Sequence, residues 1–262
     1  MPGSELYFDS RLDFLGRLYC RMLGVPIVGL RIRIRRLKQI LPERATRILD
    51  AGCGRGVITR FLSGRYPNAK IDAVDADPVA QTANREISEK AGFGNCDFID
   101  GDLTTYSKPE NYDLVVSVDN LEHILDDRQV LRNFYDSLES SGVLVVHVPH
   151  FYRRWPVLSW EENFDVPGHV RPGYHIAQLV ERVKQAGFEV RERGFSYGFL
   201  ENLTNNISYW ISGAEEKNRI IYALFFPLLN FFSWIGSYSK PKFGAGVWLV
   251  ATKKPETRRK RD

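Results

Sequence analysis

The sequence predicts an α/β protein with a mostly parallel sheet that is covered by helices on both faces. From residue 47 onward, short strand-like runs alternate with longer amphipathic runs, and this alternation is typical of parallel strands joined by crossover helices. Two of the strand-like runs, LVVSV and VLVVHV, are apolar without interruption, as expected for strands that are buried on both faces.

The elements of this fold follow in order along the chain. The pattern predicts strands at RILDA, KIDAVDA, CDFID, YDLVVSV, GVLVVHVP, FEVRERGFSY and GVWLVATKK. Helices are predicted at RGVITRFLSGRY, DPVAQTANREISEKAG, LEHILDDRQVLRNFYDSLES and YHIAQLVERVKQAG. A core domain over residues 46–197, completed by a last strand at 245–253, accounts for all of these elements.

Residues 1–45 are predicted to form a helical N-terminal extension. Leucines recur there at helical spacing and predict one buried face, at Leu6, Leu12, Leu15, Leu18 and Leu23. The basic run RIRIRRLK alternates as a strand would, but we favour a helix from about Leu30 to Leu41, which Pro42 ends just before the first strand. This run and the basic tail, residues 254–262, are expected to be solvated or to contact an anionic surface, either lipid headgroups or RNA.

Two segments interrupt the pattern, and loops of such length are usually lids or binding surfaces. One is aromatic and rich in Gly and Pro, from Phe151 to His175, and the other is a helical, apolar and aromatic insertion over residues 198–244. In the insertion, Ile220 to Ile235 is shorter than the roughly 20 residues that span a bilayer, and Pro227 should break or kink its helix. Flanking cations would suit contact of residues 217–242 with a membrane surface, and a buried lid or dimer surface is the alternative.

The composition indicates the cellular compartment in which the protein is expected. Its net charge is +4, and the N-terminus carries acids without a long apolar run, so no signal peptide is predicted. The three cysteines have neither paired nor CxxC spacing, which predicts no disulfide framework and no zinc site. A cytoplasmic protein is expected, either free or attached peripherally to the inner face of a membrane.

The stretch RILDAGCGRG ends a strand in a glycine turn, and two nearby acids indicate which ligand it binds. Glycine allows a ligand to approach the backbone closely. Asp75, at the end of the second strand, could accept hydrogen bonds from the hydroxyl groups of a ribose. Asp50 ends the first strand, where a carboxylate would repel a pyrophosphate but favour a sulfonium and an ammonium group. S-adenosylmethionine (SAM) is a nucleoside that carries both cations and no phosphate.

The ordered motifs resemble those of the class I SAM-dependent methyltransferases. ILDAGCGRG, IDAVDADP and DFIDGDL are similar to the first three motifs of that family. YDLVVSVDNLEHI, SGVLVVHVP and GYHIAQLVERVKQAGFEV resemble its ubiquinone-biosynthesis-like (type 11) branch. This resemblance implies a Rossmann-like sheet of seven strands, of which the last, GVWLVATKK, is antiparallel.

The resemblance also implies a set of SAM-binding residues at the strand ends. The methionine part would lie at the first turn, the ribose at Asp75 and the adenine beside Asp102. The full set is Asp50, Ala51, Gly52, Cys53, Gly54, Asp75, Ala76, Asp102, Leu103, Ser117 and Asp119. The alternative for Asp75 and Asp102 is a turn acid that caps a helix, and Cys53 also fits simply as a small residue in the turn.

Methyl transfer from a sulfonium is an in-line displacement that needs a base only when the acceptor must lose a proton. The candidate bases are histidines just past strand ends, His150 first and His123 second, and a structural hydrogen bond is the alternative for each. The aromatic segment should line the site of a bulky apolar or sugar-ring acceptor, since open sheets bind ligands at the carboxyl ends of strands. Its predicted substrate-binding residues are Tyr152, Trp155, His169 and Tyr174.

The group Asp119, Glu122 and His123 resembles a metal-bearing variant among quinone O-methyltransferases, and such ligands could hold Mg²⁺. We favour acids that face solvent at the start of a helix, so no metal is predicted.

The expected function is SAM-dependent methyl transfer, at oxygen, to a small-molecule acceptor that is lipid-like, quinone-like or an envelope glycan. One alternative is an RNA methyltransferase that uses Arg31–Lys38 and the basic tail, although the sequence contains no identifiable RNA-binding module. The other alternative is a SAM-binding scaffold without catalysis, and the intact set Asp50, Asp75 and Asp102 argues against it.

Overall fold

The computed structural model describes residues 1–154, 160–162, 166, 168–212 and 219–253. Trp155, predicted to bind substrate, and the basic tail therefore lie outside the described residues. The described strands are β1 (Arg47–Ala51), β2 (Lys70–Asp75), β3 (Cys96–Asp100), β4 (Tyr112–Val118), β5 (Leu138–Pro149), β6 (Tyr152–Arg154), β7 (Trp160–Glu162), β8 (Phe188–Ser196) and β9 (Gly246–Lys253).

Seven of these strands form one sheet in the order β3-β2-β1-β4-β5-β9-β8, and β6 pairs with β7. The first five strands of this order are parallel, whereas β9 is antiparallel to both β5 and β8. The predicted Rossmann-like sheet with its antiparallel last strand is confirmed. Because these five strands are parallel, their carboxyl ends lie along one edge of the sheet. The strand order reverses between β1 and β4, and open α/β sheets bind ligands at such a point.

Eight α-helices occur among the described residues. They are α1 (Phe14–Leu23), α2 (Val28–Ile40), α3 (Val57–Arg65), α4 (Pro78–Ala91), α5 (Asp127–Ser137), α6 (Ile176–Gln185), α7 (Phe199–Ser212) and α8 (Arg219–Gly236). The basic run RIRIRRLK is therefore helical, as predicted.

Each face of the sheet carries its own apolar cluster. Leu144 packs with Phe134 of α5 on one face. On the other face, Val145 packs with Leu37 of α2 and Leu62 of α3. Since successive strand residues point to opposite faces, Leu144 and Val145 of β5 separate the two clusters, and helices cover both faces.

The helix predicted to begin at Leu121 begins six residues later. Leu121–His123 forms a short 3₁₀ helix, and α5 begins after Asp126, whose carboxylate accepts a hydrogen bond from the backbone nitrogen of Gln129. Such an N-cap satisfies a backbone donor of the first turn and sets the helix start. The prediction of one continuous helix from residue 121 was wrong for this reason.

The prediction of a single buried leucine face in the N-terminal extension was also wrong. Leu6 is buried, but 73% of Leu15 and 39% of Leu18 are exposed. The helix α1 instead directs Cys20 into the core and packs Tyr19 against Phe226 of α8. Periodicity identified the apolar face of α1 but not which face the rest of the chain covers.

The helix α8 is not broken at Pro227, which lies inside it. Proline lacks the N–H group that would bond to the carbonyl four residues earlier, here that of Ala223. The hydroxyl of Tyr19 donates a hydrogen bond to this carbonyl at 2.6 Å, so α1 satisfies the acceptor that proline leaves open. No helix in the described part of the chain is long and apolar enough to cross a membrane.

Candidate active site

The turn between β1 and α3 depends on glycine. Gly52, Gly54 and Gly56 all have positive φ, of 79°, 48° and 68°. A Cβ added to Gly52 would lie 2.3 Å from the Asn120 side chain, whereas a Cβ on Gly54 would meet nothing within 4 Å. Gly54 therefore borders open space, as a cradle for a ligand requires, while Gly52 provides close packing.

Asp50 is the second-last residue of β1 and is buried next to this turn. Its carboxylate accepts a hydrogen bond from Oγ1 of Thr59, in the first turn of α3, at 2.6 Å. Burial raises the pKa of Asp50 from 3.8 to about 7, against the lowering effect of the Thr59 hydrogen bond. The negative charge of Asp75 raises this pKa further, so a cation bound nearby would favour the ionised form.

Asp75 joins the end of β2 to the glycine turn. Its carboxylate accepts hydrogen bonds from the backbone nitrogens of Gly54, at 2.7 Å, and Asp77, at 3.0 Å. Asp77, not Asp75, caps α4, because its side chain accepts from Val79 and Ala80. The helix-cap alternative for Asp75 is therefore not what the structure shows.

The remaining strand ends contribute further predicted residues. After β3, the exposed Asp102 accepts hydrogen bonds from the backbone nitrogen and hydroxyl of Thr104, which lower the pKa of its carboxyl. The structure places Ala51, Cys53, Leu103 and Ser117 in buried positions, while Ala76 is exposed. These residues follow or end the adjacent strands β1 to β4, so the sheet brings the predicted SAM set to one edge.

Asp119, after β4, is at the centre of a hydrogen-bond network. Its carboxylate lies 2.6 Å from Nη2 of Arg33 and 2.9 Å from Nδ1 of His147. Burial would raise the pKa of Asp119, but Arg33 and His147 outweigh burial and hold the pKa below its usual value. Nε2 of His147 in turn lies 2.7 Å from Oγ of Ser196.

Sequence reasoning did not identify His147, Ser196 or Arg33 as site residues. The available signal was the single ionisable residue in the otherwise apolar run VLVVHV. A buried polar side chain needs partners, and the partners of His147 come from the end of β4 and from β8, which sequence spacing does not bring together.

His150, the predicted first base, lies in an aromatic pocket and is almost completely buried. Its ring makes edge contacts with Phe195 and Phe243, at centroid distances of 5.3 and 4.7 Å. Burial and the neighbouring His175 lower the pKa of His150 to about 4, which keeps the imidazole neutral.

Two predicted substrate residues lie near this pocket. The ring of Tyr152 is 5.6 Å from that of His150. Tyr174 is fully buried, and its hydroxyl donates a hydrogen bond to Asp127. The hydroxyl of Tyr174 is thus already occupied within the fold.

His123 and His169, predicted for different roles, lie together. Their ring centroids are 4.6 Å apart, and Nδ1 of His123 is hydrogen-bonded to the Gly168 carbonyl. Glu122 is beside them and has no exposed surface, so the expectation that it faces solvent at a helix start was wrong. Burial, together with the charge of Asp119, raises the pKa of Glu122 well above its usual value.

The comparisons with known proteins agree with this geometry. The profile of a family described as "Methyltransferase domain" matches residues 48–142. A trans-aconitate 2-methyltransferase of Streptomyces avermitilis is 32% identical over 146 residues, covering 55% of this chain and 50% of that protein. The chain thus spans about half the length of this curated relative.

Solved structures extend the likeness to the fold. An O-methyltransferase from the trans-AT PKS multienzyme of Brevibacillus brevis, in complex with S-adenosyl-L-homocysteine, has a TM-score of 0.58 at 14% identity and covers 97% of this chain and 80% of that one. A SAM-dependent methyltransferase from Mesorhizobium loti has a TM-score of 0.57 at 15% identity, covering 86% and 99%.

Proposed function

We propose that this chain transfers the methyl group of SAM to an oxygen of a lipid-like or quinone-like acceptor. Its residues 48–142 belong to the class I SAM-dependent methyltransferase family. The exposed apolar surface described below is the observation on which this choice of acceptor rests. When bound, SAM supplies an activated methyl group, so the protein contributes mainly orientation and exclusion of water.

The glycine turn and its acids support binding of SAM at the edge of β1 and β2. Gly54 leaves open space for a ligand. The Asp75 carboxylate is fixed at the end of β2, where it could accept hydrogen bonds from the hydroxyl groups of a ribose. Asp50 lies behind the turn, where its ionised carboxylate would repel an anionic pyrophosphate and attract the cations of SAM.

An extended apolar surface supports an apolar acceptor. Along one face of α8, large apolar residues are 40% to 80% exposed: Ile220, Ile221, Leu224, Phe225, Leu228, Phe231, Phe232 and Ile235. Phe14, Leu15, Leu18 and Met22 of α1 are also exposed, and Tyr19 joins α1 to α8. We call these twelve residues the apolar surface.

The surroundings of the apolar surface suit a membrane interface. Soluble monomers rarely expose large apolar patches, and such patches mark sites of interaction. Trp234 and Tyr238 are exposed at the end of α8, beside the exposed cations Lys240 and Lys242. Amphipathic helices with such aromatic and basic flanks lie in the headgroup region of anionic bilayers. Peripheral attachment would bring the enzyme to acceptors dissolved in the bilayer.

Methyl transfer to a hydroxyl oxygen needs a proton acceptor, for which His150 and His123 remain our candidates. The pKa of about 4 leaves His150 neutral at pH 7 and able to accept a proton, although only as a weak base. His123 is exposed and has one ring nitrogen bonded to the Gly168 carbonyl, so its other nitrogen is available.

The basic run of α2 does not support an RNA acceptor. Arg31 and Arg36 are buried, Arg33 pairs with Asp119, and Arg35 bonds to Ser233 and Asn230 of α8. These guanidinium groups hold the N-terminal region against the rest of the fold, so they are neither solvated, as one interpretation of the sequence expected, nor free for phosphates.

The test is to incubate the purified protein with SAM labelled on its methyl group and a cell extract divided into organic-soluble, polysaccharide, RNA and protein fractions. We expect label in the organic-soluble fraction and none with the Gly54→Ala variant as control. Label confined to RNA, protein or polysaccharide would overturn the proposed acceptor class.

A further inference from the structure

We propose that Glu122, His123 and His169 form a binding site for a divalent transition-metal ion such as Zn²⁺. One carboxylate oxygen of Glu122 and one imidazole nitrogen from each histidine lie within 4.8 Å of one another. Among the described residues, these three form a group of side chains that is close enough to hold a metal ion. Three protein ligands of this type leave a further position open, as catalytic zinc sites do.

The buried atoms of this cluster lack partners. Glu122 has no exposed surface, yet neither of its carboxylate oxygens accepts a hydrogen bond, and Nδ1 of His169 is also buried without a partner. Buried polar groups are almost always hydrogen-bonded, and a buried carboxylate without a partner is costly. A cation bound between these side chains would satisfy them.

Hydrogen bonds to backbone carbonyls hold the two ligand-bearing segments together. The backbone nitrogen of Val170 donates to the Glu122 carbonyl at 2.9 Å, and Nδ1 of His123 is 2.9 Å from the Gly168 carbonyl. Arg171 adds hydrogen bonds to the carbonyls of Leu121 and Ile124. The ligands are therefore arranged before any ion binds.

The hydrogen bond of His123 has the form expected around a bound metal. Metal-ligating histidines usually donate their second ring N–H to a carbonyl or carboxylate, which fixes the tautomer and the ring orientation. With Nδ1 bonded to the Gly168 carbonyl, Nε2 of His123 is the nitrogen that can bind the ion. Ligands of a tetrahedral zinc ion lie about 3.4 Å apart, so small side-chain rotations would close the site.

The types of ligand atom at this site indicate which metal ions it would bind. Imidazole suits Zn²⁺ and its transition-metal neighbours, whereas Mg²⁺ and Ca²⁺ prefer oxygen ligands. Asp119, the acid that sequence spacing had grouped with Glu122, is already bonded to Arg33 and His147. The member that replaces it, His169, comes from 46 positions beyond His123 in the chain.

A consequence for catalysis rests on the proposed function. An ion at this site would lie next to the end of β4, where the acceptor is expected, and could bind an acceptor oxygen. It would also occupy Nε2 of His123, which leaves His150 as the candidate base. A metal-bound hydroxyl loses its proton more readily. Metal binding itself is independent of this consequence and is measured without SAM or acceptor.

The test is to strip the protein with a chelator, confirm its fold by circular dichroism, and titrate it with Zn²⁺ against a chromophoric chelator. We expect one Zn²⁺ per chain and a visible spectrum of four- or five-coordinate Co²⁺ when Co²⁺ replaces it. Glu122→Gln and His169→Ala should each weaken zinc binding at least about 100-fold, since even outer-shell changes cost 10- to 100-fold. Excess Mg²⁺ should not compete.

Two further variants keep the test decisive. His123 is exposed, so His123→Ala should fold normally and lose zinc as well, while His175→Ala, outside the cluster, should retain wild-type zinc affinity. Failure of the folded wild type to bind Zn²⁺, or equal zinc affinity in the wild type and His123→Ala, would overturn the proposal.

Discussion

Nε2 of His147 lies 2.7 Å from the hydroxyl oxygen of Ser196, and Gly246 of β9 lies between the strands that carry them. Ser196 pairs directly with Gly246, whereas His147 pairs with Trp248, two residues further along β9. A side chain at residue 246 would occupy the space of this hydrogen bond. The network that fixes Asp119 thus depends on a glycine of the last strand.

We predict that Gly246→Ala destabilises the protein. The added Cβ would lie 2.3 Å from Oγ of Ser196 and 3.0 Å from Nε2 of His147, so the hydrogen bond must break or β9 must move. Overpacking of this kind typically costs about 1–3 kcal/mol, and leaving a buried polar group unpaired adds about 1–3 kcal/mol. Urea denaturation measures the change in the free energy of unfolding.

Gly64→Ala is the matched control. Gly64 lies in α3, and its added Cβ would meet nothing within 4 Å. This variant should be as stable as the wild type or more so, because alanine favours helix by about 1 kcal/mol over glycine. Equal stability of the two variants would contradict the role of Gly246.

The glycine turn allows stability and ligand binding to be separated. Gly54→Ala should fold with a loss of about 1–3 kcal/mol, the usual cost of a left-handed non-glycine residue, because its Cβ points into open space. That methyl group should nevertheless fill the cradle and abolish SAM binding. Calorimetric titration measures the affinity and thermal unfolding the stability.

Gly52→Ala provides the contrast to Gly54→Ala. Its Cβ would lie 2.3 Å from the Asn120 side chain, so this variant should lose more stability than Gly54→Ala. Wild-type SAM affinity in Gly54→Ala would show that the ligand does not lie over this turn.

The raised pKa of Asp50 predicts how the stability of the ligand-free protein depends on pH. The folded state keeps the Asp50 proton up to about pH 7, whereas the unfolded chain loses it near its usual pKa of 3.8. The folded state therefore binds more protons between these values, and the free energy of unfolding should fall as pH rises from about 4 to 7. The slope from one such group is at most about 1.4 kcal/mol per pH unit.

The Asp50→Asn variant isolates this contribution. Asparagine has a similar shape and no charge to lose, so the variant should show a shallower pH dependence and gain stability relative to the wild type toward pH 7. Urea denaturation at several pH values measures both slopes. Parallel curves for the two proteins would exclude Asp50 as the titrating group.

The apolar surface predicts binding to lipid vesicles. The wild type should sediment with anionic phospholipid vesicles, and the double variant Leu224→Ser, Phe231→Ser should bind at least about tenfold more weakly, since burying each such side chain contributes about 1.5–3 kcal/mol. Serine at Val79 and Leu125, which are 71% and 81% exposed elsewhere, gives the matched control. Equal sedimentation of the two double variants would rule out a role for this surface.

The local sequence pattern was sufficient to predict the parallel sheet and the glycine turn. Strand alternation, uninterrupted apolar runs and the spacing of Asp50 and Asp75 are properties of short stretches, and the structure reproduces them. The start of α5 was missed because two acids, Asp126 and Asp127, compete with the apolar periodicity as the start signal, and the Asp126 cap prevailed.

Contacts between distant segments were not predictable in the same way. Amphipathic spacing in α1 does not say whether its apolar face is covered, and Leu15 is exposed because α8 packs against Tyr19 instead. The burial of Glu122 depends on residues 168–171 folding over the turn after β4. The burial of Arg31 and Arg36 likewise requires the insertion to pack on α2.

Calorimetric titration of the purified wild type with SAM tests the central claim most directly. We predict saturable binding of one SAM per chain, with NAD⁺ giving no heat of binding because its pyrophosphate would meet the acidic strand ends. A folded protein that binds no SAM, or that binds NAD⁺ instead, would contradict the assignment of the glycine turn and of methyl transfer.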